Sequence, residues 1–356
     1  MIAALVAGAI GAWLATMACI LLAWSSLAGP GPGRRVVVRA EPGALAALGP
    51  LLHEQGLIQS PMLFAWYARV LHPTLSVRSG EHVLNDALSP RELARRLGDD
   101  RSRPSVRANL PEGFTIAQMA QRLEEVEVCS ARGFEHSARD PELLRAFGIS
   151  ADSAEGHLFP ASYDWHSDSD PRSVVEGLIR EMRKRVGRIQ ARHPGALERL
   201  GQELGFGVSE VLTLASMVEK EAARPEERPL IASVFFNRLR DPSFSPRRML
   251  QSDPTAVYGC LIAAQAAPSC ADFRGRVTPG MLRDPLNRYN TYRHPGLPPG
   301  PIANPGESSI EAVLAPAQTD YLFFVRTGPG RHSFSRTFEE HSRGVRALQG
   351  GAAAGP

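Results

Sequence analysis

The sequence lacks what a metal, nucleotide or nucleic-acid protein would need. Its four cysteines, Cys19, Cys129, Cys260 and Cys270, include no CxxC pair and none has a histidine close by, so zinc-ligand spacing is missing and no metal site is expected. Basic and acidic residues nearly balance, 40 against 37, and are interspersed; without a basic stripe or arm, no nucleic-acid partner is expected. The GPGPG stretch at 29–33 has no strand leading into it and no Lys-Ser/Thr after it, which makes it a linker and not a phosphate loop. No cofactor is expected. Charge is also absent from residues 2–24, IAALVAGAIGAWLATMACILLAW.

That uncharged run is long enough, at ~1.5 Å per residue, to cross a ~30 Å hydrocarbon core. A cleaved signal peptide usually has only ~7–15 apolar residues, and a buried core helix is rarely apolar on every face, so an N-terminal transmembrane anchor is expected over 1–28. Arg34 and Arg35 follow the run and only the terminal amine precedes it; the positive-inside rule by itself therefore argues against an outside location for the rest of the chain. The remainder of the 356 residues, with 43% apolar and 22% charged residues, is enough for two or three folded regions with a sizeable interior.

After a linker at 29–35, residues 36–104 read as a small α+β module in which Ser89 caps a helix whose first residue is Pro90. Residues 105–200 form a second α+β segment, with a Pro-Glu-Gly turn and a helix opened by Thr115. A further segment spans 201–348. There Ser209 is expected to cap a helix that Pro225 ends, DYLFFVRTGPGRHSF to form two strands about a Gly-Pro-Gly turn, and Thr337 with Glu340 to box a last helix. Residues 349–356 are expected to be a disordered tail. Cys260 and Cys270 flank an insertion-like stretch; they would pair in an oxidising compartment, and two unpaired thiols are the equal alternative.

On a helical wheel, Val211, Leu214, Ala215, Val218 and Ala222 define the apolar stripe of the helix after Ser209. Glu221 falls about 75° from its middle on one side, slightly nearer than Glu219 at about 85° on the other, and Lys220 points to the opposite side. Only Glu221 is expected to face inward, where an apolar wall would raise its pKa and let it hold a proton near neutrality. The alternative is a partly buried glutamate paired with an arginine such as Arg238. Farther on, Gln251, Asp253, Asn290, Tyr292 and Asn304 lie in a proline- and glycine-rich region that reads as stiff loops. Their amides, hydroxyls and aromatic faces suit a sugar chain, whose rings present hydroxyl edges and apolar CH faces; ordinary ordered loops tied by their own side chains would read the same way.

LASMVEKEA (214–222), ASVFFNRL (232–239), LQSDPTAVYG (250–259), YNTYRHPGLPPGPIANPG (289–306) and EGHLFPASY (155–163) together resemble the YceG-like family of endolytic murein transglycosylases, over about residues 36–348. The resemblance implies an α+β protein with a single-pass anchor in the cytoplasmic membrane, a LysM-like module at 36–104 and an extracytoplasmic catalytic domain at 201–348. It would cleave nascent peptidoglycan glycan strands between N-acetylmuramic acid and N-acetylglucosamine, leaving 1,6-anhydro ends. Catalysis falls on Glu221, with cell-wall synthesis proteins as candidate partners; Gln251, Asp253, Asn290, Tyr292 and Asn304 are substrate-binding candidates by their own chemistry, Asp253 also suiting an Asp-Pro turn. Two departures stand out: Ala222 replaces the hydroxyl residue that lytic transglycosylases generally place after the acid, and Ala161 replaces the aspartate of the usual Phe-Pro-Asp-Thr-Tyr. The rival readings are a hydrolytic muramidase using Glu221 and Asp253, and a glycan-binding scaffold without catalysis.

Overall fold

The computed structural model describes residues 2–41, 43–78, 80–98, 104–262, 267–271, 273–328 and 330–352. They form an α+β protein whose chain divides into two compact units, one of residues 1–108, 123–130 and 163–170, the other of 109–122, 131–162 and 171–356. The division does not follow the linear segments expected from sequence, because the segment at 105–200 contributes to both.

The first unit opens with helix Ile2–Ser25. The expected membrane span lies in it, but the side chains of residues 1–10 and 14 fall outside the described set, and among the described residues no helix is long and apolar enough to cross a membrane. Met17, Leu21 and Trp24 pack on the unit's core, Trp24 meeting Tyr67 at 6.3 Å between ring centroids. Strands Arg35–Ala40 and Gly80–Asn85 pair antiparallel with Val38 opposite His82; alternation sends Val38, Ala40 and Leu84 inward. Helices Pro61–Leu71 and Pro90–Leu97 begin as the sequence dictates, since Ser60 and Ser89 accept backbone N–H groups from Leu63 and Glu92, both at 3.3 Å, just before a proline. Phe64, Tyr67, Leu93 and Leu97 fill the space between sheet and helices.

The second unit is built around helix Val208–Glu221, with helices Pro171–Arg192, Arg228–Arg240 and Glu307–Leu314 packed in the same core. Residues 211–218 of the central helix are all buried, so it has no solvated face over two turns, unlike the single stripe expected. Its N-cap is Gly207 and not Ser209: the Gly207 N–H donates to Glu210 Oε2 at 2.7 Å, while the Gly207 carbonyl accepts the first helical bond from Val211. The helix stops at Glu221 because Ala222 is extended (ψ 122°), ahead of Pro225, which opens a 3₁₀ turn. Strands Phe323–Gly328 and Arg331–Ser335 form the expected hairpin, with Phe324 opposite Phe334. Thr337 and Glu340 exchange the bonds of a capping box at the start of helix Phe338–Ala352. The expected disordered tail is thus helical as far as residue 352, and 353–356 lie outside the described residues. Cys260 and Cys270 form a disulfide.

Candidate active site

Glu221 is the last residue of the central helix, and its carboxyl group borders a cavity of about 670 Å³. The walls include Lys220, Gln251, Asp253, Tyr292, Phe323, Arg326, Phe338 and His341. Burial pushes the Glu221 pKa up to about 7, and the negative charge of Asp253 adds to the rise; the Ser252 hydroxyl, Arg238 and Arg326 pull the other way. The carbonyl end of a helix also disfavours a negative charge placed there. No ion pair holds Glu221 among the described residues. Arg238, the alternative partner, instead gives Nε to the Leu322 carbonyl at 2.7 Å and Nη1 to the Leu250 carbonyl at 2.5 Å.

Among the described residues the Glu221 carboxyl group takes one hydrogen bond, from Ser252, whose hydroxyl donates to Oε1 at 2.6 Å. A hydroxyl missing at position 222 is therefore supplied from a loop. That loop is held on several sides: the Gln251 N–H reaches the Thr291 carbonyl at 3.1 Å, the Ser252 N–H reaches Thr291 Oγ1 at 3.0 Å, and Thr255 Oγ1 donates to the Ser252 carbonyl at 2.6 Å. Gln251 sits at φ +53°, a left-handed conformation that costs a non-glycine residue about 1 kcal/mol or more and persists only where surroundings enforce it. Strain of this kind clusters at functional sites.

Of the residues expected to bind substrate, Gln251, Asp253 and Tyr292 line the cavity with Glu221, and Tyr292 Oη donates to Asp253 Oδ1 at 2.7 Å. Asn290 and Asn304 do not; both are fully buried (0% exposed). The Asn290 side-chain amide donates to the carbonyls of Met281, Leu282 and Asp284 at 3.0–3.1 Å, pinning its own loop. Asn304 donates to Glu155 Oε1 at 2.8 Å and to the Phe114 carbonyl, and accepts from the Leu158 N–H. Their amides are spent on backbone and, for Asn304, on Glu155 as well, so the binding role expected for these two gives way to shaping the loops. Ala161 lies outside the cavity, where its carbonyl accepts the Leu110 N–H at 3.0 Å.

Glu219 also departs from expectation. Its side chain is only 7% exposed, with Arg228 at 2.9 Å on one oxygen and Ser309 Oγ and the Gly306 N–H at 2.7 and 3.0 Å on the other. Both glutamates turn inward, on either side of the stripe and at nearly equal angles to it, while Lys220 between them is exposed.

Sequence reasoning missed Ser252, Phe323, Arg326, Phe338 and His341. Ser252 stood inside the recognised Gln-Ser-Asp-Pro-Thr block and could have been flagged; the other four come from the hairpin and the final helix, about a hundred residues downstream of the acid. A larger groove of about 910 Å³ is elsewhere in this unit, but its acids Glu203 and Asp320 are bound to Arg240 and Arg336 at 2.6 and 2.7 Å. Among the described residues no group of three or more His, Cys, Asp or Glu is arranged to hold a metal.

The YceG-like family matches residues 38–347 of the chain. The endolytic murein transglycosylase of Bacillus subtilis (strain 168) is 27% identical over 317 residues, covering 84% of this chain and 81% of that one. The endolytic murein transglycosylase of Streptococcus pneumoniae serotype 2 (strain D39) is 29% identical over 325 residues, again 84% of this chain but 55% of the relative, so the chain spans about half of that longer protein. Among solved structures, that of a yceG-like protein from Listeria monocytogenes superposes with a TM-score of 0.54 at 27% identity, over 87% of this chain and 99% of the other.

Proposed function

Because the chain belongs to the YceG-like family, we propose that it is an endolytic lytic transglycosylase of peptidoglycan in which Glu221 is both acid and base. The observation that carries the proposal is one carboxyl group, raised to about 7 and bound by a single hydroxyl, at the wall of a cavity. Protonated Glu221 donates to the oxygen joining N-acetylmuramic acid to N-acetylglucosamine, and the C1–O bond breaks. The resulting carboxylate takes the proton of the muramyl C6 hydroxyl, whose oxygen closes onto C1 to leave a 1,6-anhydro end. No water is consumed, and Glu221 ends protonated as it began, so one carboxylate suffices where ordinary glycosidases use two. The Ser252 hydroxyl bonds more strongly to a carboxylate than to a neutral acid, which favours the state that forms as the proton leaves. Gln251, Asp253 and Tyr292 supply hydrogen-bonding groups for sugar hydroxyls.

The decisive experiment is a digest of uncrosslinked glycan strands with the full chain, the new termini identified by mass spectrometry. Anhydro ends are expected. Reducing ends would replace this reading with hydrolysis, for which Asp253, on the same cavity, is the available second acid. A Glu221→Gln protein that cleaves as well as the parent would remove Glu221 from either mechanism.

We further place the enzyme at the cytoplasmic membrane, held by residues 2–24, with its folded part outside. Support comes from the uncharged helix Ile2–Ser25, from the substrate class, and from the Cys260–Cys270 disulfide, a bond that persists in oxidising compartments. The strand-and-helix arrangement of residues 35–97 agrees with a LysM-like module for glycan binding, and cell-wall synthesis proteins are the fitting partners for an enzyme acting on nascent strands. Protease protection of the folded part in sealed cells, lost when the outer face is exposed, tests the location.

A further inference from the structure

We propose that Phe338, at the rim of the Glu221 cavity, is a stacking platform for a pyranose ring of the glycan strand. The proposal rests on the reading of the site as one that takes glycan, and it assigns a binding role to an element far from the recognised motifs. Phe338 lines the same cavity as Glu221 yet is 69% exposed. A large aromatic side chain left mostly in water on the wall of a concave polar site offers a binding surface there.

The geometry supports a rigid platform with free faces. Phe338 is the first residue of the last helix, and the Thr337–Glu340 capping box fixes the backbone there. Beneath it lie Phe323, at 6.0 Å between centroids and 61° between planes, and His341, at 6.3 Å and 40°. Neither ring lies flat on Phe338. Phe323 is itself stacked on His341 at 5.4 Å and carries the Arg238 guanidinium 5.4 Å from its centroid, so the base under Phe338 is layered and buttressed. An aromatic face of this kind suits the CH face of a sugar ring, while Gln251, Asp253, Arg326 and Tyr292 around the same cavity are available to its hydroxyl edge.

Steady-state cleavage of uncrosslinked strands by the full-length parent, Phe338→Ala and Phe338→Trp proteins tests the platform. For Phe338→Ala the KM should rise by about three- to tenfold, the size expected for one lost aromatic contact, with kcat within about twofold; Phe338→Trp should restore the parent KM. An alanine variant with the parent KM, or one that loses kcat at constant KM, overturns the proposal while leaving the activity intact. A second measurement does not depend on the reaction: Glu221→Gln protein should retain glycan strands, and adding Phe338→Ala should weaken retention by the same factor. If Glu221→Gln protein binds strands equally well with and without Phe338, the platform is refuted whatever the chemistry.

Discussion

Glu155 and Glu221 offer two versions of a buried carboxyl group in one unit. Burial pushes each to about 7, and each borders a cavity, of about 420 Å³ for Glu155 and about 670 Å³ for Glu221. What differs is saturation. Glu155 lies against the start of helix Ile116–Glu125, where both its oxygens accept the Ile116 N–H at 3.1 Å, and it also takes the Tyr258 hydroxyl at 3.0 Å and the Asn304 amide at 2.8 Å. Such a group ties together three stretches of chain and has nothing left for a ligand. Among the described residues Glu221 has one bond, to one oxygen. A raised pKa therefore marks where water is excluded, and only the unspent oxygen marks where chemistry can occur.

The largest test of this contrast is Glu221→Gln. The amide keeps the shape but cannot deliver a proton, so cleavage should fall by roughly 10²–10⁴-fold, the usual worth of a general acid/base. Its unfolding midpoint should match or exceed the parent's, since no partner is stranded. Residual activity near the parent level, measured by release of new strand ends, would put the acid elsewhere.

Glu219, two residues away, should behave in the opposite sense. Glu219→Ala takes from the buried Arg228 its nearer carboxylate, at 2.9 Å, leaving Glu112 at 3.5 Å to offset part of the loss, and frees the Gly306 N–H from its acceptor. Breaking a buried pair from one side costs about 3–5 kcal/mol, which urea unfolding would register as a lower midpoint. A stability loss well under 1 kcal/mol would show that the 304–306 loop does not depend on this anchor.

The pH dependence of stability treats the pair alike, and the pH dependence of cleavage separates them. Both glutamates have folded pKa values near 7, above the ordinary 4.5, so the folded state holds their protons more tightly than the unfolded chain. Their contribution is full below about pH 4.5 and is lost as pH rises through 7, at up to about 1.4 kcal/mol per pH unit for each group. Glu155→Gln, which cannot titrate, should flatten that decline by one group's worth while leaving the pH dependence of cleavage in place. Glu221→Gln should flatten it equally. A Glu155→Gln protein whose decline between pH 4.5 and 7 matches the parent's would mean that Glu155 is ionised throughout.

These contrasts also explain what the sequence could convey. Glu221, Gln251, Asp253 and Tyr292 were legible because helical spacing and a dense Pro-Gly-Asn block announce an inward acid and stiff loops. Asn290 and Asn304 were misplaced for a physical reason: an asparagine that grips a sugar and one that grips three carbonyls have the same composition and the same neighbours. Glu219 turns inward as well because it lies almost as close to the apolar stripe as Glu221, on its other side, and spacing alone does not separate two residues so nearly equivalent. Phe323, Phe338 and His341 come to the cavity through the hairpin and final helix, and nothing in local pattern tells which distant elements will close over an acid. The split of residues 105–200 between two units is likewise a tertiary fact.

The smallest predicted effect concerns Ser252, which is 1% exposed and held by Thr255 and Thr291 so that its hydroxyl meets Glu221 Oε1. That bond favours the carboxylate, so Ser252→Ala should raise the Glu221 pKa further and move the high-pH limb of the cleavage profile upward, because the acid form now survives to higher pH. At the same time the developing charge loses a donor, worth about 1.5 kcal/mol for a bond to a charged group, so the rate on the plateau should fall roughly tenfold. Ser252→Thr, which keeps the hydroxyl, should retain both limb and plateau. A role confined to packing the loop would lower the plateau without moving the limb, and a limb that stays put in Ser252→Ala would show that the hydroxyl does not act on the acid's proton.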